Sequence, residues 1–300
     1  MARIITDLRE KFKRGDLLVR LIYINAGVFI IGALVNVFLK LFNQSPAGLL
    51  EWFALPASFP RLALQPWSIL TYMFIHADFL HILFNMLWLY WFGILFLRSF
   101  TARHLLGVYV LGGICGGLLY MIAYNIFPFF SDSVIYSVLI GASASTLAIV
   151  AAIAYREPDY RVYLLFFGAV RLKYLALVAV GADLLLITSG NAGGHIAHLG
   201  GALSGLCFAA FLNKGVDLTG WINKLFDGVA ALFRKDTWRR KPKMKVHYRP
   251  NADRARDYDY NARKKAQSDE VDRILEKLKR SGYESLTTEE KKSLFDASKR

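Results

Sequence analysis

VIYSVLIGASASTLAIVAAIAY, residues 134–155, is apolar enough to lie in lipid, yet its middle carries Gly141, Ser143, Ser145 and Thr146 with almost no side-chain bulk. A helix needs roughly 20 apolar residues to cross about 30 Å of hydrocarbon. The stretch has that length, so it reads as a membrane span. Its small polar centre needs a reason, because a serine in a membrane helix usually bonds the carbonyl one turn back. Whether Ser143 packs or reacts depends on what other spans bring beside it.

Five more segments read as spans: Leu21–Phe42, Leu80–Leu97, His104–Ile126, Tyr174–Thr188 with its flanks, and Gly194–Leu212. The chain has 300 residues, 55% of them hydrophobic, with formal net charge +14. Charge clusters separate the apolar runs, and the last quarter is strongly polar. That distribution predicts an all-α polytopic membrane protein, a six-transmembrane-helix bundle with a polar cytoplasmic C-terminal tail. The start, MARIITDLREKFKRGDLLVR, is basic. The run after it is too long for a signal core and lacks a small-residue cleavage site, so no cleaved leader is expected.

Lys and Arg in the short flanks set orientation. They gather before the first span (Arg9, Lys11, Lys13, Arg14), between the second and third (Arg98, Arg103), between the fourth and fifth (Arg156, Arg161, Arg171, Lys173), and after the sixth (Lys214, Lys224). Six spans with both termini in the cytoplasm fit every connection, as in a multi-pass protein of a cytoplasmic (inner) membrane. Residues 43–79 are aromatic and Pro-broken, and we place them at the outer interface. The expected organisation is a basic N-terminus at 1–20 and the membrane domain at 21–213. An interfacial amphipathic helix and basic segment follow at 214–247, then a linker at 248–267. A cytoplasmic helical hairpin ends the chain at 268–300, its second helix started by a capping box at Thr287. The basic runs read as topology and attraction to anionic lipids of the bilayer, with no nucleic-acid partner. Cys115 and Cys207 lie in apolar runs, with no spacing suited to zinc, and no metal or cofactor is called for.

Ionisable and amide side chains are expensive inside a membrane, so each is a functional candidate. His81 and Asn85 lie one turn apart near the outer end of span two. Ser143 lies on the order of 10 Å into span four at about 1.5 Å per residue, and His198 about one turn into span six. These four occupy similar depths. GASAS at 141–145 and GHIAHLGGALSG at 194–205 carry small residues, with Gly201 and Gly205 forming GxxxG, so two backbones can approach closely. A neutral histidine can take the proton of a serine hydroxyl, and an Asn amide, a His N–H and the Ser143 N–H can hold an oxyanion. Sequence offers no obvious buried acid to orient His198, so the expectation is a dyad. Asp183 in span five is read as a structural hydrogen bond. His195, one turn before His198, is the weaker candidate for the base, and Ser145 points to a different side from Ser143.

These residues resemble the rhomboid family of intramembrane serine proteases over about residues 20–213. FIHADFLHILFNMLWLYWFG, residues 74–93, resembles the family's H-x4-H-x3-N segment; GASAS resembles its G-x-S motif; AHLGGALSG, from Ala197, resembles A-H-x-x-G-x-x-x-G. The resemblance implies Ser143 as nucleophile, His198 as general base, and His81 and Asn85 as oxyanion donors. It places His76 near the site entrance and Gly141 and Gly201 on motif glycines. The implied substrate is a transmembrane helix of another protein, cut near its outer end. The chain departs from the family pattern at Ala144, Leu147, Trp67-Ser68 and Leu97. The alternative is an inactive relative that binds transmembrane helices without cutting them. There is no sign of an inverted repeat for a transporter and no HExxH for a metalloprotease.

Overall fold

Asp16 opens the first helix by accepting a hydrogen bond from the Val19 N–H at 3.0 Å, and α1 runs Leu17–Leu41. Most of α1 exposes apolar side chains such as Ile31 and Leu34, as a lipid-facing helix does. Its buried polar residue, Asn25, donates to Leu21 O at 2.9 Å and to the Tyr109 hydroxyl at 3.2 Å. The computed structural model describes residues 16–45, 47–164, 168–232 and 252–298. The expected N-terminal segment thus loses its last residues to α1, and residues 1–15 lie outside the described part.

The long connection after α1 is built of short elements rather than extended loop. These are α2 Ala47–Phe53, β1 Leu55–Pro56, α3 Phe59–Leu64, α4 Ser68–Thr71 and a 3-10 turn Tyr72–Phe74. Gln65 donates to Glu51 O and Ala54 O, and Trp67 donates from its indole to Trp52 O at 2.8 Å. Arg61 reaches Ile135 O at 3.0 Å, tying the connection to the segment before the reactive-looking serine. The Trp52 and Trp67 rings stack at 5.7 Å and stay half exposed.

Two helices of span length follow, α5 Phe79–Ser99 and α6 Ala102–Ile126, each with a side-chain N-cap, Asp78 and Thr101. After a 3-10 segment Pro128–Ser133, strand β2 Val138–Leu139 pairs antiparallel with β1. Only then does α7 begin, Ser143–Arg156. The expected span Val134–Tyr155 is therefore corrected. Its first nine residues are not helical, because Val138 and Leu139 are apolar for a sheet contact and Gly141 takes φ +116°. A hairpin of β3 Arg161–Leu164 and β4 Gly168–Arg171 leads to α8 Leu172–Leu185, and α9 is Ala192–Leu212.

Among the described residues, four helices are long and apolar enough to cross a membrane: α1, α5, α6 and α9. At 14 residues each, α7 and α8 span about 21 Å at 1.5 Å per residue, short of a bilayer's hydrocarbon. Eleven residues of α7 are buried, so it is the centre of the bundle and its apolar run reflects protein surroundings as much as lipid.

Helix α10, Gly220–Leu232, docks on α6 through Asn223, whose amide reaches Arg103 O, and through an Arg103–Asp227 ion pair. It exposes Trp221, Leu225, Val229 and Leu232. The basic run to residue 247 lies outside the described part. A second unit, 238–300, contains α11 Ala252–Ser281 and α12 Thr288–Ser298. The linker expected at 248–267 is corrected from residue 252 onward. DRARDYDYNARKKAQ has no apolar stripe but consists largely of adequate helix formers without Gly or Pro. The capping box is present: the Thr287 N–H donates to Glu290 Oε2 at 2.8 Å and the Glu290 N–H to Thr287 Oγ1 at 3.3 Å.

Candidate active site

Residues Gly201 and Gly205 place α9 against α7 with no side chain between. A Cβ on Gly201 would sit on the Ala144 carbonyl group, and one on Gly205 on that of Ala148. The glycines are four residues apart, as are the alanines, so one turn of each helix is held in fixed register. Ala144 follows Ser143 and Gly201 lies three residues past His198. The seam therefore brings the first turn of α7, with Ser143, beside the turn of α9 that carries His198, although Ser143 opens its helix rather than lying about 10 Å into it.

Both side chains line one cavity of about 300 Å³, together with Asn85, Asp183 and the apolar Phe84, Trp88 and Leu147. His195 is not among the lining residues. Ser145, fully buried, instead directs its hydroxyl at Met73 Sδ, 3.9 Å away. Ser143 is the first residue of α7, so its backbone N–H has no partner within the helix and faces the helix's N-terminal end.

Gly141 makes the approach from α5 possible. Its φ of +116° is left-handed backbone that favours glycine. Its N–H donates to Tyr72 O at 3.0 Å, and a Cβ there would lie 2.8 Å from His81 Nε2 and 3.7 Å from Ser143 Oγ. The His81 ring thus packs against the Gly141 backbone beside Ser143. Its Nδ1 accepts from the Ala77 N–H at 3.3 Å. A neutral imidazole that accepts at Nδ1 carries its proton on Nε2, which makes Nε2 a donor on the serine side. Asn85 gives one amide hydrogen to His81 O at 2.9 Å and keeps a second for the cavity it lines.

His76, in the turn before α5, is buried at 5% exposure with its ring edge-on to His81 at 5.1 Å. Burial, with the neighbouring His81 ring adding to it, pushes the His76 imidazole down to about 4.

Asp183 is the functional candidate whose place the sequence did not reveal. Its Oδ1 lies 2.8 Å from His198 Nδ1 and 2.8 Å from His195 Nδ1. The expectation that no acid stands beside His198 is corrected: α8 crosses α9 where the two histidines share a face. The structural hydrogen bond expected for Asp183 is present, and one of its partners is the candidate base. These three groups offer ligand atoms within 4.8 Å of one another, a set able to hold a metal ion. The N···O separations are hydrogen-bond lengths. The one signal available in sequence was the expense of an aspartate inside an apolar helix.

Residues 63–215 match the family model described as the Rhomboid domain, and residues 256–300 match a family of unknown function, DUF6576. The chain is 30% identical over 210 residues to the RHOMBOID-like protein 12, mitochondrial, of Arabidopsis thaliana, covering 67% of this chain and 59% of that protein. It is 25% identical over 169 residues to the Rhomboid-like protease 3 of Toxoplasma gondii, covering 56% and 60%. It is 27% identical over 153 residues to the Rhomboid protein 1, mitochondrial, of Saccharomyces cerevisiae, covering 50% and 43%. The matches thus span less than two thirds of each relative.

Proposed function

The chain belongs to the rhomboid family, and from that premise we propose that it is an intramembrane serine endopeptidase that cuts transmembrane helices of other proteins. The observation that carries the reading is the cavity shared by Ser143, His198 and Asn85 at the Gly201–Ala144 seam.

In the proposed cycle, His198 Nε2 takes the proton of Ser143 Oγ as the oxygen attacks a peptide carbonyl. The developing oxyanion is held by His81 Nε2–H, the free Asn85 amide hydrogen and the Ser143 N–H, all preorganised before reaction. The tetrahedral intermediate breaks its C–N bond, the departing amine takes the proton from His198, and the acyl group stays on Ser143. Water, deprotonated by His198, attacks the ester; the acyl C–O bond breaks, Ser143 Oγ takes the proton back from His198, and the acid product leaves. Neither metal nor organic cofactor enters this sequence.

Helices α7 and α8 complete a proposed set of six membrane crossings, short but enclosed by or packed on the four long ones. The basic connections support an inner-membrane orientation with both termini cytoplasmic and the serine nearer the outer face. Exposed Trp221, Leu225, Val229 and Leu232 support α10 as an interfacial helix beside anionic lipid. The test is reconstitution in vesicles with a single-span reporter labelled at both ends. Cleavage near its outer end, abolished by Ser143→Ala, is the expected result. Stable association without cleavage would replace the peptidase with a helix-binding function.

A further inference from the structure

Asp183 lies in the apolar helix α8 at 7% exposure, where an unpaired carboxylate is costly. Both of its visible partners are histidines one turn apart on α9, and both reach the same oxygen through Nδ1 at 2.8 Å. An ionised carboxylate only accepts, so each ring must donate from Nδ1. A neutral ring that donates from Nδ1 has its lone pair on Nε2. For His198 that leaves Nε2 as the acceptor in the cavity that Ser143 also lines.

We infer that Asp183 is a positioning residue: it fixes His198 as the Nδ1–H tautomer with a basic Nε2 available to Ser143, and His195 serves as the second donor that fixes the carboxylate. The inference rests on the peptidase reading above and adds to its Ser143–His198 dyad a carboxylate that positions the base. During attack the proton moves from Ser143 Oγ to His198 Nε2, Nδ1 keeps its own proton, and Asp183 remains ionised beside the imidazolium. His81 has the opposite arrangement. Its Nδ1 accepts from the Ala77 N–H, so its Nε2 is a donor. Two histidines flanking one serine are thus held in opposite tautomers, one as base and one as oxyanion donor. A tie between α8 and α9 that served packing alone would not need the carboxylate on the Nδ1 edge of the ring that lines the cavity.

The experiment uses the full chain, labelled with 15N-histidine, in detergent micelles, with the His198 signals identified by their loss in His198→Gln. Wild type is expected to show a protonated Nδ1 and an unprotonated Nε2 at His198 in the neutral ring. Asp183→Ala is expected to shift His198 toward the Nε2–H form. Turnover of the single-span reporter is measured alongside. Asp183→Ala and Asp183→Asn should lower kcat by as much as about 10⁴-fold with KM nearly unchanged, assayed well below the reduced thermal midpoint that losing a buried acceptor brings, and Asp183→Glu should recover part of kcat. A wild-type His198 that carries its proton on Nε2 overturns the inference without any variant. So does wild-type kcat in Asp183→Ala. If wild type turns nothing over, the peptidase reading fails by itself, and the tautomer signals still decide the role of Asp183.

Discussion

Changing Gly201 to alanine adds one methyl group at the seam between α7 and α9. That carbon would lie 2.8 Å from the Ala144 carbonyl carbon and 3.0 Å from its Cα, with the carbonyl oxygen closer still. Carbon atoms pack at about 3.5–4.0 Å, so the helices must part by about 1 Å. The atoms in the way are backbone, so no side chain can swing aside. Overpacking of this kind costs about 1–3 kcal/mol of stability. Because Ala144 adjoins Ser143 and Gly201 lies one turn past His198, the same displacement falls on the proposed reacting pair, where about 1 Å can cost about 10²-fold in rate. Gly205→Ala makes a comparable clash with Ala148, one turn farther from Ser143, and should lose stability with a smaller loss of rate. Gly27→Ala meets nothing within 4 Å and should change neither. Reporter cleavage and the thermal midpoint, measured in the same detergent, test this. Gly201→Ala at the wild-type rate and midpoint would refute the claim that the glycine seam sets the site.

Alanine at His81 or at Asn85 removes one proposed oxyanion donor and should lower kcat by about 10²–10³-fold, measured on the same reporter; unchanged kcat in either would remove that residue from the oxyanion site. Ser145→Ala deletes a hydroxyl that faces Met73 Sδ, and cleavage should stay within about twofold of wild type. The membrane domain should lose stability as pH falls from 6.5, the ordinary value for histidine, toward the value of about 4 held by buried His76. Across that window the unfolded chain takes up a proton that the folded state refuses. Thermal midpoints against pH should show this slope in wild type and a shallower one in His76→Phe; equal slopes would mean that His76 does not contribute.

Residues that act within one helical turn were legible in the sequence. His81 with Asn85 and Gly201 with Gly205 are each four apart, so spacing alone puts each pair on one face. What failed was whatever depends on contact between segments. Sequence puts the start of α7 nine residues early because Val138 and Leu139 are as apolar in the β1–β2 pair as they would be in lipid. Asp183 lies 12 and 15 residues before its histidine partners, on another helix, and no periodicity joins them. The first half of helix α11 reads as a linker because, unlike the half with Val271, Ile274 and Leu278, it is polar on all sides and has no stripe to detect. The proton positions on His81 and His198 needed the Ala77 N–H and the Asp183 carboxylate, and neither could be read from the rings themselves.

The most direct test of the account is to react the purified full chain with a fluorophosphonate and locate the adduct by tandem mass spectrometry. A single adduct on Ser143, absent in His198→Ala and retained in Ser145→Ala, is the predicted result. Folded wild-type protein that takes no adduct at Ser143, or takes it on Ser145, would contradict the account.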